Sequence, residues 1–285
     1  MKFFLKLDNR FRDGKFVEDV AVEGDRLGFY GFLMSDHYMW QTRMPNDIFT
    51  IDSWTTLTYL AAKTEHIKLG TQFSPIPRGN PAQFAKMLST LDVLSNGRVQ
   101  LGVGAGWSQN EFEGFSVWNE PKVRVDKTEE GLKLMLRLWT EDEVTFNGKY
   151  YYAERAMLEP KPVQKPYPAL FISGRPRSNR MLRFAGRYGD LFNVAHGTAA
   201  GEDVSEEEIL QGRDIVLEAA RKANRHDKIA YVRELRATKD LKGYSKVIEL
   251  AIKLGAKYCI SYFPRDGNYL EDMRRFAKEV MPSFM

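Results

Sequence analysis

A chain of 285 residues, 43% hydrophobic and 13% aromatic, is long enough to bury one large core, and β/α barrels commonly form a single domain at this size. Its net charge of +4 comes from interspersed acids and bases, which excludes the clustered basic face that counterion-driven nucleic-acid binding needs. No stretch approaches the roughly 20 apolar residues of a membrane span, and the opening run MKFFLKLDNRF is too short for a signal peptide, so a soluble, cytoplasmic protein is expected.

From the amino end onward, short apolar runs alternate with amphipathic helical segments, the signature of a parallel sheet with crossover helices. Eight strands are predicted, at residues 3–7, 31–35, 67–73, 99–104, 169–173, 191–195, 229–234 and 257–262. Asn80-Pro81 offers an N-cap followed by proline at the first helical position, and Asn96-Gly97 supplies the stop after Leu94. Ser205 with Glu208 reads as a capping box that opens a helix over 209–223. No GxGxxG loop follows the first strand, where an open dinucleotide-binding sheet would want one. The prediction is therefore an α/β fold, a closed (β/α)8 TIM barrel spanning residues 1–285 as one domain.

One segment, at about 143–168, breaks the alternation between the fourth helix and the fifth strand. Residues 144–146, the turn Asn147-Gly148 and residues 150–153 read as a β-hairpin with a type I′ turn. The spaced prolines Pro160, Pro162, Pro166 and Pro168 then exclude helix and central strand. An insertion over one end of the barrel is expected, and substrate identity should reside there and in the chain beyond about residue 195.

Cys259 is the single cysteine, which excludes an internal disulfide and a multi-cysteine metal site. Its apolar neighbours mark it as a core residue. Of the four histidines, His66 before a strand and His226 in a polar turn have structural explanations, leaving His37 and His196 as functional candidates. No metal ligand set is predicted.

In a β/α barrel the chemistry projects from the carboxyl ends of the strands. After the second strand, Ser35-Asp36-His37-Tyr38-Met39-Trp40 sets an acid beside an imidazole under aromatic cover, where the aspartate can fix the imidazole tautomer or each can meet a cofactor. After the third, the prolines of Gln72-Phe73-Ser74-Pro75-Ile76-Pro77-Arg78 force a sharp bend or a merely stiff turn. After the fourth, Gly104, Gly106 and Trp107 either clear space for something planar or pack closely, and Glu111 follows. After the fifth, Ser173, Gly174 and Arg175, with Arg177 and Arg180, lead into a helix whose free N–H groups suit a phosphate. His196, Gly197 and Thr198 add donors on the neighbouring strand. Gly174 is expected to give a phosphate room in a loop outside the core.

Taken in order, these motifs resemble the luciferase-like monooxygenase superfamily, in particular its branch of oxidoreductases dependent on the deazaflavin coenzyme F420. The resemblance rests on Leu27-Gly28-Phe29, Ser35-Asp36-His37, Asp52-Ser53-Trp54, Ile67-Lys68-Leu69-Gly70-Thr71, Asn80-Pro81-Ala82, Pro160-Lys161-Pro162-Val163-Gln164, Ile172-Ser173-Gly174 and Tyr188-Gly189-Asp190. The run from Leu91 to Trp107 with Glu111 is its most specific part, and the match loosens after about residue 195. It implies a flavin-type ring in the barrel mouth and a non-proline cis peptide at Gln72, Phe73 or Ser74. It implies reacting-face roles for Asp36, His37 and Glu111, and cofactor phosphate at Ser173, Gly174 and the loop His196, Gly197, Thr198. The aromatic residue typical of the branch's sugar-phosphate dehydrogenases is displaced by one position at Trp40.

The leading expectation is F420-dependent hydride exchange with a small organic substrate. The alternatives are a monooxygenase using reduced flavin mononucleotide (FMN) and O2, a phosphate-binding lyase or isomerase, which would need a Schiff-base lysine or metal-binding carboxylates, and a non-catalytic flavin-binding protein. A homodimer is the one assembly considered.

Overall fold

The computed structural model describes residues 1–10, 13–39, 50–195, 204–235, 240–264 and 268–285. In chain order the elements are β1 (Lys2–Leu7), α1 (Gly14–Arg26), β2 (Gly31–Met34), α2 (Ser53–Ala61), β3 (Lys68–Thr71), β4 (Ser74–Pro75), α3 (Pro81–Leu94), β5 (Val99–Gly104), α4 (Gln109–Phe115) and α5 (Pro121–Thr140). They continue as β6 (Val144–Asn147), β7 (Tyr152–Ala156), β8 (Ala169–Gly174), α6 (Asn179–Tyr188), β9 (Leu191–Val194), α7 (Glu206–Lys222), β10 (Ala230–Glu234), α8 (Leu241–Lys253), β11 (Ala256–Ser261) and α9 (Tyr269–Glu279).

The large sheet runs β3-β2-β1-β11-β10-β9-β8-β5-β4, and the pairing of β3 with β5 closes it. Every pairing within it is parallel. Counting β3 and β4 as one interrupted strand, this is the expected eight-stranded barrel. The third strand is shorter than predicted, ending at Thr71, and the expected non-proline cis peptide lies between Gln72 and Phe73, ahead of β4. Gly70 and Gly102 are obligatory at the closure: a Cβ on Gly70 would lie 2.0 Å from the Gln100 carbonyl oxygen, and one on Gly102 would lie 1.8 Å from that of Thr71. Gly102 thus serves close packing.

Alternation along each strand sorts side chains into an outer and an inner set. Phe3, Leu5 and Leu7 face the helices, whereas Phe4 joins Leu33, Phe171, Leu191, Val232 and Ile260 in an apolar plug inside the barrel. Two residues farther along the same strands come Lys6, Ser35, Ser173, Asn193, Glu234 and Tyr262. A polar layer therefore rests on the plug at the carboxyl ends of the strands.

Helix ends follow their signals. Asn80 accepts from the N–H groups of Ala82 and Gln83 ahead of Pro81, Asn96 and Gly97 take positive φ after Leu94, and Ser205 with Glu208 forms the capping box. The hairpin departs from the expected turn: Asn147 pairs with Tyr152, so its loop has the four residues 148–151, and neither Asn147 nor Gly148 has the positive φ that type I′ requires. The Glu130 carboxylate of α5 instead accepts from the N–H groups of Lys149, Tyr150 and Tyr151 and holds the loop open. The proline segment packs low on the barrel, where the Lys161 ammonium donates to the Leu138 and Glu141 carbonyls and Gln164 Nε2 to that of Val99 at the start of β5. Among the described residues no helix is long and apolar enough to cross a membrane.

Candidate active site

A cleft of about 700 Å³ opens at the carboxyl ends of the strands. Asp36, His37, Gln72, Phe73, Gly104, Gly106, Trp107, Glu111, Ser173, Gly174 and Arg175, all expected at the site, line it. His196, Gly197, Thr198 and Trp40 lie outside the described residues.

On one wall the side chains form a closed ion network. His37 Nδ1 lies 2.7 Å from Glu111 Oε2, and Arg78 Nη1 donates to Glu111 Oε1 at 2.6 Å. Arg78 also donates to Asp36, from Nη2 to Oδ1 at 2.5 Å and from Nη1 to the backbone oxygen at 2.8 Å. The second oxygen of Asp36 accepts from Ser74 Oγ at 2.5 Å, which in turn accepts from Trp54 Nε1 at 2.8 Å. Asp36, Arg78 and Glu111 are buried. Tyr38 covers the guanidinium, 3.7 Å from its ring centroid, and Trp107 meets the imidazole edge-on at 5.5 Å.

Burial pushes the Glu111 carboxyl up, but the hydrogen bond and charge of His37, joined by Arg78, overcome it and hold Glu111 below its ordinary range. An ionised carboxylate only accepts, so the proton between the two lies on Nδ1 of His37. Glu111, not the adjacent Asp36, therefore fixes the imidazole; both oxygens of Asp36 belong to Arg78 and Ser74. Ser74 is likewise turned away from the cleft, because Trp54, Thr71 and Asp36 use its hydroxyl. Arg78 is the residue that sequence reasoning missed, its place in a proline-rich bend having suggested only a stiff turn.

The opposite wall is unsaturated. Arg175 at the end of β8 and Arg124 in the first turns of α5 both line the cleft. Arg124 donates from Nη1 to the Asn119 carbonyl at 2.5 Å and stacks on Trp118 at 3.8 Å, yet its Nε is buried without a partner. Burial lowers the basicity of both guanidiniums, and the charge of Arg175 lowers that of Arg124 further although Glu120 opposes it. Ser178 stands at the N-cap of α6 with no side-chain capping bond. Arg177 and Arg180 do not join: Arg177 pairs with Glu208 at 3.1 Å and Arg180 with Asp126 at 2.5 Å.

Gly174 corrects another expectation. It is buried, and a Cβ there would meet Leu182 Cδ2 at 2.8 Å, so its smallness serves the packing of α6. Between the two walls Phe73, Gly104, Ala105 and Gly106 present a surface nearly free of polar side chains, the kind a planar aromatic ring covers well. Bare surface, guanidiniums without a salt bridge among the described residues and an orphaned donor together fit a large planar cofactor carrying phosphate.

At the floor lies a lysine at a strand end, which the sequence reading did not find. Lys6 is buried and faces the cleft with Glu234 and Tyr262. No cluster suited to a metal occurs among the described residues. Cys259 is buried, which pushes its thiol up to about 12, as a core residue requires. His66 and His226 lie away from the cleft, next to Asp25 and Asp227. No residue of 143–168 lines the cleft, so the hairpin and proline segment do not shape it.

Residues 1–236 match the family model described as luciferase-like monooxygenase. An F420-dependent glucose-6-phosphate dehydrogenase of Intrasporangium calvum is 36% identical over 201 residues, 69% of this chain and 58% of that one. Its counterpart in Gordonia bronchialis is 33% identical over 269 residues, 93% and 70% of the two chains. The chain spans about three fifths of the length of the first of these relatives. Among solved structures, an F420-dependent secondary alcohol dehydrogenase in complex with an F420-acetone adduct superposes with a TM-score of 0.81 at 21% identity over the whole of both chains, a likeness of fold.

Proposed function

The chain belongs to the luciferase-like monooxygenase family, and from that premise we propose that it is an oxidoreductase using coenzyme F420 to exchange hydride with a small organic substrate. The observation that carries the reading is the joining, in one cleft, of an imidazole oriented by a buried carboxylate with a bare apolar surface and two arginines that form no salt bridge among the described residues. The names of the curated relatives support F420 as the cofactor.

When bound, F420 supplies hydride donation and acceptance at its ring. Phe73, Gly104, Ala105 and Gly106 would cover that ring, while Arg124, Arg175, Ser173 and Ser178 would hold its phosphate. With Nδ1 of His37 engaged by Glu111 at 2.7 Å, the imidazole exchanges the substrate's proton at Nε2, and Glu111 stabilises the imidazolium. Arg78 keeps Glu111 ionised and aimed, and Asp36 keeps Arg78 in place, so both are positioning residues.

Titrating F420 into the protein tests the reading. Quenching of the deazaflavin fluorescence with micromolar or better affinity is expected. Preference for reduced FMN with O2 consumption would instead favour the monooxygenase reading.

A further inference from the structure

The network of His37 and the arginine wall leave the polar floor of the cleft without a role. Gln72 is its centre. The Lys6 ammonium donates to the Gln72 carbonyl at 3.1 Å, and the Tyr262 hydroxyl donates to Gln72 Oε1 at 3.2 Å. Gln72 Nε2 and Asn193 Nδ2 both donate to Glu234 Oε1. Neither of these bonds uses Glu234 Oε2, and Lys6, only 4% exposed, has two further N–H groups beyond its bond to Gln72. Lys6, Glu234 and Tyr262 all line the cleft.

Alternating donors and acceptors do not suit the face of an aromatic ring, which has the apolar surface of Phe73, Gly104 and Gly106 available. They suit a small polar group. Its charge is limited by what surrounds the ammonium: the Asp8, Glu234 and Asp36 carboxylates all act on Lys6, so a dianion placed there would meet like charge in a poorly screened site. A hydroxyl has one donor and two acceptor positions, and it can accept from Lys6 while donating to Glu234 Oε2.

We propose that Lys6 and Glu234 form a substrate subsite for a neutral, non-reacting hydroxyl, so that the substrate is a vicinal diol or polyol whose neighbouring carbinol gives up the hydride. The inference rests on the F420 reading above. Burial pulls Lys6 down to about 8 against the pull of Asp8, Glu234 and Asp36, and pushes Glu234 up. In both groups burial outweighs the attraction between them.

The test uses the full chain loaded with oxidised F420, loading being read from quenched fluorescence. Propane-1,2-diol and propan-2-ol, which differ by one hydroxyl, are compared through kcat/KM and through the absorbance change of the bound deazaflavin on titration. The parent is expected to favour the diol by about tenfold or more, the value of one good hydrogen bond to a charged group. Lys6→Met and Glu234→Gln should abolish that preference while leaving F420 affinity close to the parent's. If Lys6→Met fails to fold, the isosteric Glu234→Gln decides alone. Equal response to the two alcohols, no response to either from loaded protein, or a collapse of F420 affinity in the folded variants overturns the subsite. Failure of the parent to bind F420 overturns the cofactor reading on which it rests.

Discussion

The two walls of the cleft hold arginines in opposite circumstances. Arg78 is saturated, with Asp36 and Glu111 both within 2.6 Å, whereas among the described residues no carboxylate forms a salt bridge with Arg124 or Arg175, and Arg124 keeps an orphaned Nε. Desolvating a cation is costly unless partners compensate it. The first wall is therefore finished machinery that the fold stabilises by itself, and the second retains a cost that a bound anion would relieve. A saturated site loses stability when it is broken. An unsaturated one loses affinity.

Removing the cation from the finished wall should have the largest effect. Arg78→Met leaves Asp36 and Glu111 buried without their counter-charge, and breaking such a pair costs about 3 to 5 kcal/mol. Urea denaturation should show a loss of that size, together with loss of turnover; a stability equal to the parent's would mean that the network is dispensable. His37→Ala, on the same wall, should lower turnover by about 10²- to 10⁴-fold, the usual worth of a positioned acid–base group. Cofactor affinity should stay within about tenfold, since the imidazole meets the reacting atoms and not the phosphate. Glu111→Gln preserves shape and removes the charge. Because the folded protein holds this carboxyl below its ordinary 4.5, its ionised form stabilises the fold above that pH and the contribution is lost as pH falls through the folded value. The stability gap between parent and Glu111→Gln should therefore narrow on acidification below about pH 4.5, and a gap independent of pH would contradict the assignment.

On the unsaturated wall the expected pattern reverses. Arg175→Met, or Arg124→Met, should weaken F420 binding by about 1.5 to 3 kcal/mol, the range for a hydrogen bond to a charged group. Melting temperature should hold or rise, because a buried (Arg124) or half-buried (Arg175) charge without a salt bridge is gone. Calorimetric titration beside a thermal melt reads both. A fall in stability with unchanged affinity would place these arginines with Arg78, as structural cations, and the contrast between the walls would disappear.

The barrel, its closure and most cleft residues were legible because strand alternation and end punctuation are local signals: the Asn80-Pro81 cap and the Ser205–Glu208 box appear where the chain announced them. What escaped needed partners distant in sequence. Arg78 meets Glu111 33 residues away, and nothing near Arg78 in the chain reveals this. Lys6 and Glu234 were hidden differently, inside runs read as apolar strands, although a step of two from Phe4 and Val232 aims them into the barrel mouth. Searching the inward positions of each strand as well as the residues after it would have found both. Gly174 lines the cleft as expected but is buried and not in a loop outside the core, since the helix that fills the space beside it belongs to tertiary packing.

That glycine yields the smallest effect and a fine test of where the unsaturated wall gets its rigidity. A Cβ at Gly174 would stand 2.8 Å from Leu182 Cδ2 and 3.1 Å from the Leu182 backbone nitrogen. The methyl group can turn aside, but the nitrogen can yield only if α6 shifts by a few tenths of an ångström. Gly174 does not take positive φ, so Gly174→Ala adds no backbone strain, and it restricts the unfolded chain in a way that stabilises by about 0.4 to 1 kcal/mol. Overpacking opposes this with about 1 to 3 kcal/mol. The net loss should be near 1 kcal/mol, small enough for the fold to survive. Since Ser178 stands at the N-cap of α6 and Arg175 lies three residues before that cap, a shifted helix should also weaken F420 binding several-fold, with no contact between the new methyl group and the cofactor. Should Gly174→Ala lose stability and keep full affinity, the phosphate would not depend on the start of α6, and Arg124 on α5 would be left as the principal anchor.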